Sequence, residues 1–137
     1  MTKIKYNIDL MKYIQIFESL TRAKVHDCIE GDPLIFVVEE NEIGKAIGKH
    51  GSNVRRLEGL FNKKLKIVEF SADVKQFIRN FIMPLSVGEI REESGIVEIS
   101  GPDTKTKGLL IGRDRKNLEN LKSVVQRYFQ VEDIKVV

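Results

Sequence analysis

Ile43-Gly44-Lys45-Ala46-Ile47-Gly48-Lys49-His50-Gly51-Ser52-Asn53-Val54 is the stretch on which the fold turns. Gly48 and Gly51 bracket a basic pair, Lys49 and His50, with apolar residues at helical spacing before it and a second amphipathic segment after it. Glycine carries no Cβ, so the backbone here can come close to a bulky charged partner. The N–H groups that open a helix are unpaired donors and favour an anion. A Gly-Lys-His-Gly turn between two helices therefore has the shape and charge to hold a sugar-phosphate backbone.

Charge around this stretch is unevenly placed. Glu30, Asp32, Glu39, Glu40 and Glu42 precede it without a Lys or Arg among them. From Ile43 to Lys66 the chain holds seven Lys/Arg against Glu58 alone, a net +6 inside a chain whose overall charge is only +3. Such a block reads as an anion-facing surface. The 137 residues suffice for one ordinary domain or two small ones, and 42% hydrophobic with 31% charged residues describes a globular chain. Cys28 is the only cysteine, so no intrachain disulfide forms and a reducing compartment is expected. No apolar run approaches a membrane span, and Met1-Thr2-Lys3-Ile4-Lys5 is not followed by a signal-peptide core. A cytoplasmic location with no membrane partner is the expectation.

The chain repeats itself at a spacing of 64 residues. Leu10, Tyr13, Ile14 and Phe17 carry the i, i+3, i+4, i+7 signature of an amphipathic helix, and Val74, Phe77, Ile78 and Phe81 repeat it. At the same offset Gly44 matches Gly108, Ile47 matches Ile111, Gly48 matches Gly112, Asn53 matches Asn117, Val54 matches Leu118 and Leu57 matches Leu121. Helix and loop agree on one offset, which marks two copies of one unit, residues 1–71 and 72–137.

The first copy reads as a helix over Asp9–Arg22, strands over Lys24–Ile29 and Leu34–Glu39 around Glu30-Gly31-Asp32-Pro33, and a short helix over Glu42–Ile47. The loop comes next, then a helix over Ser52–Phe61 and a half-buried strand over Lys64–Ile67. In the second copy Ser71 and Asp73 cap a helix stopped at Met83-Pro84, and Leu85–Arg91 pairs with Ile96–Ser100 around Glu92-Glu93-Ser94-Gly95. Asp103 caps a short helix, Gly112–Lys116 forms the loop, Asn117–Phe129 the long helix and Asp133–Val137 the last strand. The fold class is α+β, each copy running αββααβ with a three-stranded sheet covered by helices. No Ser/Gly/Pro-rich spacer separates the copies, so rigid docking is expected.

This element order, with Gly-X-X-Gly between the paired helices, resembles the type II KH domain. Two in immediate tandem resemble the archaeal NusA-like transcription factors. The resemblance spans Leu10 to Val137 and implies a protein that binds single-stranded RNA and acts in transcription termination or antitermination, with the elongation complex as a further partner. The motif is intact in the first copy and degenerate in the second, where Arg115 stands at the closing glycine of Gly112-Arg113-Asp114-Arg115. Bacterial relatives carry further domains, one of which reaches RNA polymerase; 137 residues are expected to leave no room for them, so direct polymerase contact is not carried over by the resemblance. A ribosome- or translation-associated KH protein, and a KH scaffold that binds proteins, are the alternative readings.

By the same resemblance, about four nucleotides lie in a groove between the paired helices and a strand. Gly48 and Gly51 admit the backbone, Lys49 and His50 face phosphates, and Ile43, Ile47, Val54 and Ile67 form the apolar floor. Asn53, Arg55 and Arg56 join the site from the following helix, and Gly112, Arg113, Arg115 and Lys116 form its counterpart. Asp114 is expected to cap the helix that follows the second loop. Other chemistries fail on spacing. Three residues rather than four separate Gly44 from Gly48-Lys49, and no Ser or Thr follows Lys49, so this is not a Walker A loop. His26 and Cys28 are two ligands at most, too few for zinc. No nucleophile has a partner base, so neither an enzyme nor a small-molecule substrate, cofactor or metal is expected.

Overall fold

The apolar spacing of Leu10, Tyr13, Ile14 and Phe17 becomes α1 (Ile8–Thr21), which lays Phe17 flat on Phe36 with ring centroids 4.2 Å apart. The computed structural model describes residues 8–137 and divides after Ser71 into two units. In the first, α1 is followed by β1 (Val25–Ile29), β2 (Leu34–Val38), α2 (Ile43–Ile47), a single 3-10 turn (Lys49–Gly51), α3 (Ser52–Phe61) and β3 (Leu65–Glu69). The sheet order is β1-β2-β3, with β1 antiparallel and β3 parallel to the central β2. A parallel neighbour needs a crossover, and α2, the turn and α3 supply it.

Alternation along β2 sends Leu34, Phe36 and Val38 into one core with Phe17, Ala46, Leu57 and Cys28. Burying each large apolar side chain contributes about 1.5–3 kcal/mol, which is what holds so short a helix as α2 in place. Ala46 is fully buried, and Ile43 packs half-buried on the same core. Tyr13 meets Phe61 at 4.7 Å and ties α1 to the end of α3. Asn62 then stops α3 in a left-handed conformation, and the Glu58 carboxylate accepts from Leu65 N–H at 3.0 Å to start β3.

The second unit runs α4 (Val74–Ile82), β4 (Ile90–Glu93), β5 (Ile96–Ile99), α5 (Thr104–Ile111), a 3-10 turn (Arg113–Arg115), α6 (Lys116–Tyr128) and β6 (Asp133–Val136). Its sheet order β4-β5-β6 repeats the antiparallel and parallel pairings of the first. Asp73 caps α4 by accepting from Lys75 N–H, and Asp103 caps α5 by accepting from Thr106 N–H at 2.7 Å. That bond comes first among the reasons the Asp103 carboxyl titrates below its ordinary range.

The hairpin differs from the sequence expectation. β4 starts at Ile90 rather than Leu85, because Leu85 N–H closes a turn onto Ile82 O. Glu92 and Glu93 are paired strand residues, and the turn is Ser94-Gly95 alone, both at positive φ. Two such residues match the right-handed twist of the strands and allow the tightest connection. His26 and Cys28 also part company. Cys28 is buried in the core, whereas His26 stacks on Phe70 at 3.9 Å and meets the Glu39 carboxylate at 3.1 Å.

Candidate nucleic-acid interface

The first loop is held by the glycine at its start, an asparagine bond across it and two left-handed residues. Gly48 adopts φ 76°, ψ 172°, a region open to little but glycine, and a Cβ there would lie 2.8 Å from Asn53 Cγ. Asn53 crowds in because its amide donates to Lys45 O at 2.9 Å, closing α3 back onto α2. His50 (φ 55°, ψ 31°) and Gly51 (φ 72°, ψ 18°) are both left-handed, which turns the chain sharply into α3.

Backbone accounting shows what is left over. Gly48 N–H donates to Gly44 O at 3.0 Å, Gly51 N–H to Gly48 O at 3.2 Å and Ser52 N–H to Lys49 O. The N–H groups of Lys49 and His50 find no acceptor among the described residues. Their side chains are exposed and form no ion pair among those residues. Arg55 folds back to donate to His50 O at 2.6 Å, so its guanidinium stays beside the loop and neutralises the carbonyl that would repel an anion. Exposed donors and cations thus collect on one turn.

The apolar floor is partly open. Ile43 on α2 and Ile67 on β3 pack half-buried against the same core, Val54 on α3 is half-buried, and Ile47 is 38% exposed. Two residues of the basic block lie elsewhere. Lys66 alternates to the sheet face opposite Ile67, and burial pulls its pKa down. Arg56 lines a groove with Gln15, Ile16, Ser19 and Leu20 of α1, away from the loop. At the start of α2 the Glu42 carboxyl is held below its usual range, first by Lys24 N–H and then by the Lys45 ammonium.

The second loop repeats this geometry. Gly112 (φ 75°, ψ 172°), Asp114 (φ 57°, ψ 30°) and Arg115 (φ 61°, ψ 18°) take the dihedrals of Gly48, His50 and Gly51. Asn117 donates to Leu109 O at 2.9 Å, and a Cβ on Gly112 would lie 2.6 Å from Asn117 Cγ. Arg113 and Lys116 are exposed, and Arg115 pairs weakly with Glu119 at 3.5 Å. The expected Asp114 cap is absent: no side chain caps α6. A capping side chain needs an extended backbone at the cap, as Asp103 has, and the left-handed pair at 114 and 115 does not provide it.

Beside this loop lies a groove of about 390 Å³ between α6 and β6, lined by Ile111, Leu118, Ile134 and Val136 with Arg115, Asp133 and Lys135 at its polar positions. Ile111 and Leu118 match Ile47 and Val54 at the 64-residue spacing, the signal that makes them counterparts of the first loop's apolar residues. Among the described residues no cluster of three His, Cys, Asp or Glu could hold a metal, and no helix is long and apolar enough to cross a membrane.

Comparison with known proteins agrees with this geometry. The KH domain family matches residues 12–79. The chain is 31% identical to a protein of Methanocaldococcus jannaschii named probable transcription termination protein NusA, over all of this chain and 77% of that one. A protein of the same name from Methanococcus vannielii is 34% identical over 98% of this chain and 80% of its own length. The crystal structure of APE1850 superposes with a TM-score of 0.77 at 29% identity, covering 96% of this chain and all of that one.

Proposed function

This chain belongs to the archaeal family of proteins named probable transcription termination protein NusA, and on that footing we propose that it binds single-stranded RNA and acts in transcription termination or antitermination. Both units serve as type II KH domains in this reading, residues 1–71 with the intact loop and 72–137 with the degenerate one. The observation that carries it is the first loop, where two N–H groups without a protein acceptor, the Lys49 ammonium and the His50 ring share one left-handed turn. A phosphate accepts from those N–H groups, and the bases lie over Ile43, Ile47, Val54 and Ile67. The chemistry is recognition alone, with the transcription elongation complex as the setting and the cytoplasm as the place.

Each groove holds few nucleotides, so each unit alone binds weakly, and two on one chain raise the effective concentration of the second contact. Fluorescence anisotropy against an unstructured single-stranded RNA tests the binding, with duplex RNA as the control. Crosslinking in cells followed by sequencing tests the setting. Nascent transcripts among the crosslinked RNA support the transcription reading; ribosomal RNA alone would replace it with the ribosome-associated one.

A further inference from the structure

Away from the loop, α1 and α3 of the first unit leave a groove of mixed polar and apolar lining that nothing in the chain's proposed RNA chemistry uses. Its volume is about 510 Å³, and Ile16, Leu20, Gln15, Ser19 and Arg56 line it. Ile16 is 42% exposed, and Leu60, one turn beyond Arg56, is 63% exposed. Gly59 lies between Arg56 and Leu60, and a Cβ there would meet nothing within 4 Å. A glycine at an exposed helix position costs about 1 kcal/mol relative to alanine, and no packing among the described residues accounts for it. It stands at an exposed position of α3 beside Leu60.

The ionic groups around the groove lean one way. Lys12, one turn before Ile16, and Arg56 form no ion pair among the described residues. The acids of the same two helices are turned elsewhere: Glu18 accepts from Val25 N–H at 2.9 Å and Glu58 from Leu65 N–H at 3.0 Å. Asp9 remains, in the first turn of α1, where it meets the positive end of the helix dipole. We propose that this groove docks an acidic amphipathic helix of a partner protein. Its apolar side chains at i, i+4 and i+7 sit against Ile16, Leu20 and Leu60, and its carboxylates face Arg56 and Lys12. An RNA strand would satisfy the two cations but leave the exposed apolar residues against water, so the mixed character of the groove favours protein.

The test is an NMR titration of the full chain with a short amidated peptide bearing leucines at i, i+4 and i+7 and glutamates beside them. Amide shifts confined to residues 12–20 and 56–60, with a Kd on the order of 100 µM, are expected for a single helix in a shallow groove. Leu60→Asp and Ile16→Asp, both at exposed positions, should abolish those shifts with the circular dichroism unchanged. Arg56→Glu should weaken binding about tenfold, and a lysine-for-glutamate peptide should bind no better than that variant. Gly59→Gln should raise the melting temperature yet weaken the peptide, a split that a merely structural glycine does not give. No shift on this face at about 1 mM peptide overturns the proposal. So does single-stranded RNA shifting Ile16 and Leu60 in place of the peptide, which makes Arg56 an RNA ligand.

Discussion

The two loops have nearly the same backbone and quite different side chains. Gly48-Lys49-His50-Gly51 and Gly112-Arg113-Asp114-Arg115 agree within a few degrees at the first position and the third, and within 11° in φ at the fourth. Each is closed by an asparagine that donates 2.9 Å back to the preceding helix. The closing glycine is therefore not what shapes this turn. Its first glycine and the later asparagine do that, because they interlock at a distance no Cβ could share. What the fourth position decides is how much room and charge the turn offers a partner. Gly51 leaves it open, whereas Arg115 adds a side chain that borders the neighbouring groove and reaches Glu119 with its guanidinium.

If the interlock shapes both turns, breaking it should hurt both equally. Gly48→Ala and Gly112→Ala should each cost about 2–3 kcal/mol, from a strained backbone plus displacement of the asparagine. Urea unfolding of the two variants measures this. A large loss at one loop and none at the other would show that the shared dihedrals have different causes.

RNA affinity should separate what stability does not. Lys49→Asp with His50→Asp replaces the two side chains proposed to face phosphates and should cost roughly tenfold to thirtyfold in affinity at about 0.1 M salt. These exposed side chains form no ion pair among the described residues, so the fold should survive. Affinity within twofold of the parent, with unchanged circular dichroism, would move the binding surface elsewhere.

Much of this was legible in the sequence because the chain states it twice. The 64-residue repeat paired the first helices and both loops of the two units, while turn residues and alternation placed the strands, with the start of β4 misplaced at Leu85. Roles were harder than positions. Asn53 looks like a polar ligand beside a phosphate loop, and its amide also donates to Lys45 O, which gives it a part in shaping the turn. The hint was its match with Asn117, because a residue kept where the loop chemistry changes is serving the turn. Arg56 and Lys66 count equally in a charge block, but helical rotation and strand alternation point them away from the loop. The early end of the Leu85–Glu89 segment depends on a turn bond to Ile82 O, which no propensity announces.

The second loop should act through its cations. Neutralising Arg113 and Arg115 together as glutamines should reduce the slope of log affinity against log salt by about 1.4, roughly 0.7 for each contact to a single strand. The same change at fixed low salt should cost several-fold, less than the first-loop variant. An unchanged slope would take the second loop off the RNA and leave it to structure or another partner.

The smallest effect is the most pointed. Arg115 holds a left-handed backbone that costs an L-residue about 1–2 kcal/mol and costs glycine almost nothing. Against that, Arg115→Gly frees more conformations in the unfolded chain and removes an exposed pair with Glu119 worth only a few tenths of a kcal/mol. The strain is the larger quantity, so this variant should be more stable by about 0.5 kcal/mol, a rise of roughly 2–4 °C in melting temperature. The reciprocal Gly51→Arg has room, since its Cβ would approach only the Nη1 of Arg55, at 3.4 Å. It should fold, lose about 1 kcal/mol to the left-handed backbone, and bind RNA more weakly through its own loop because the close approach is gone. Calorimetry on the pair, read beside anisotropy, decides the matter. Destabilisation by Arg115→Gly would mean that the Arg115 stem packs over Leu118 and Ile134, and that the second loop has become part of the fold's own groove.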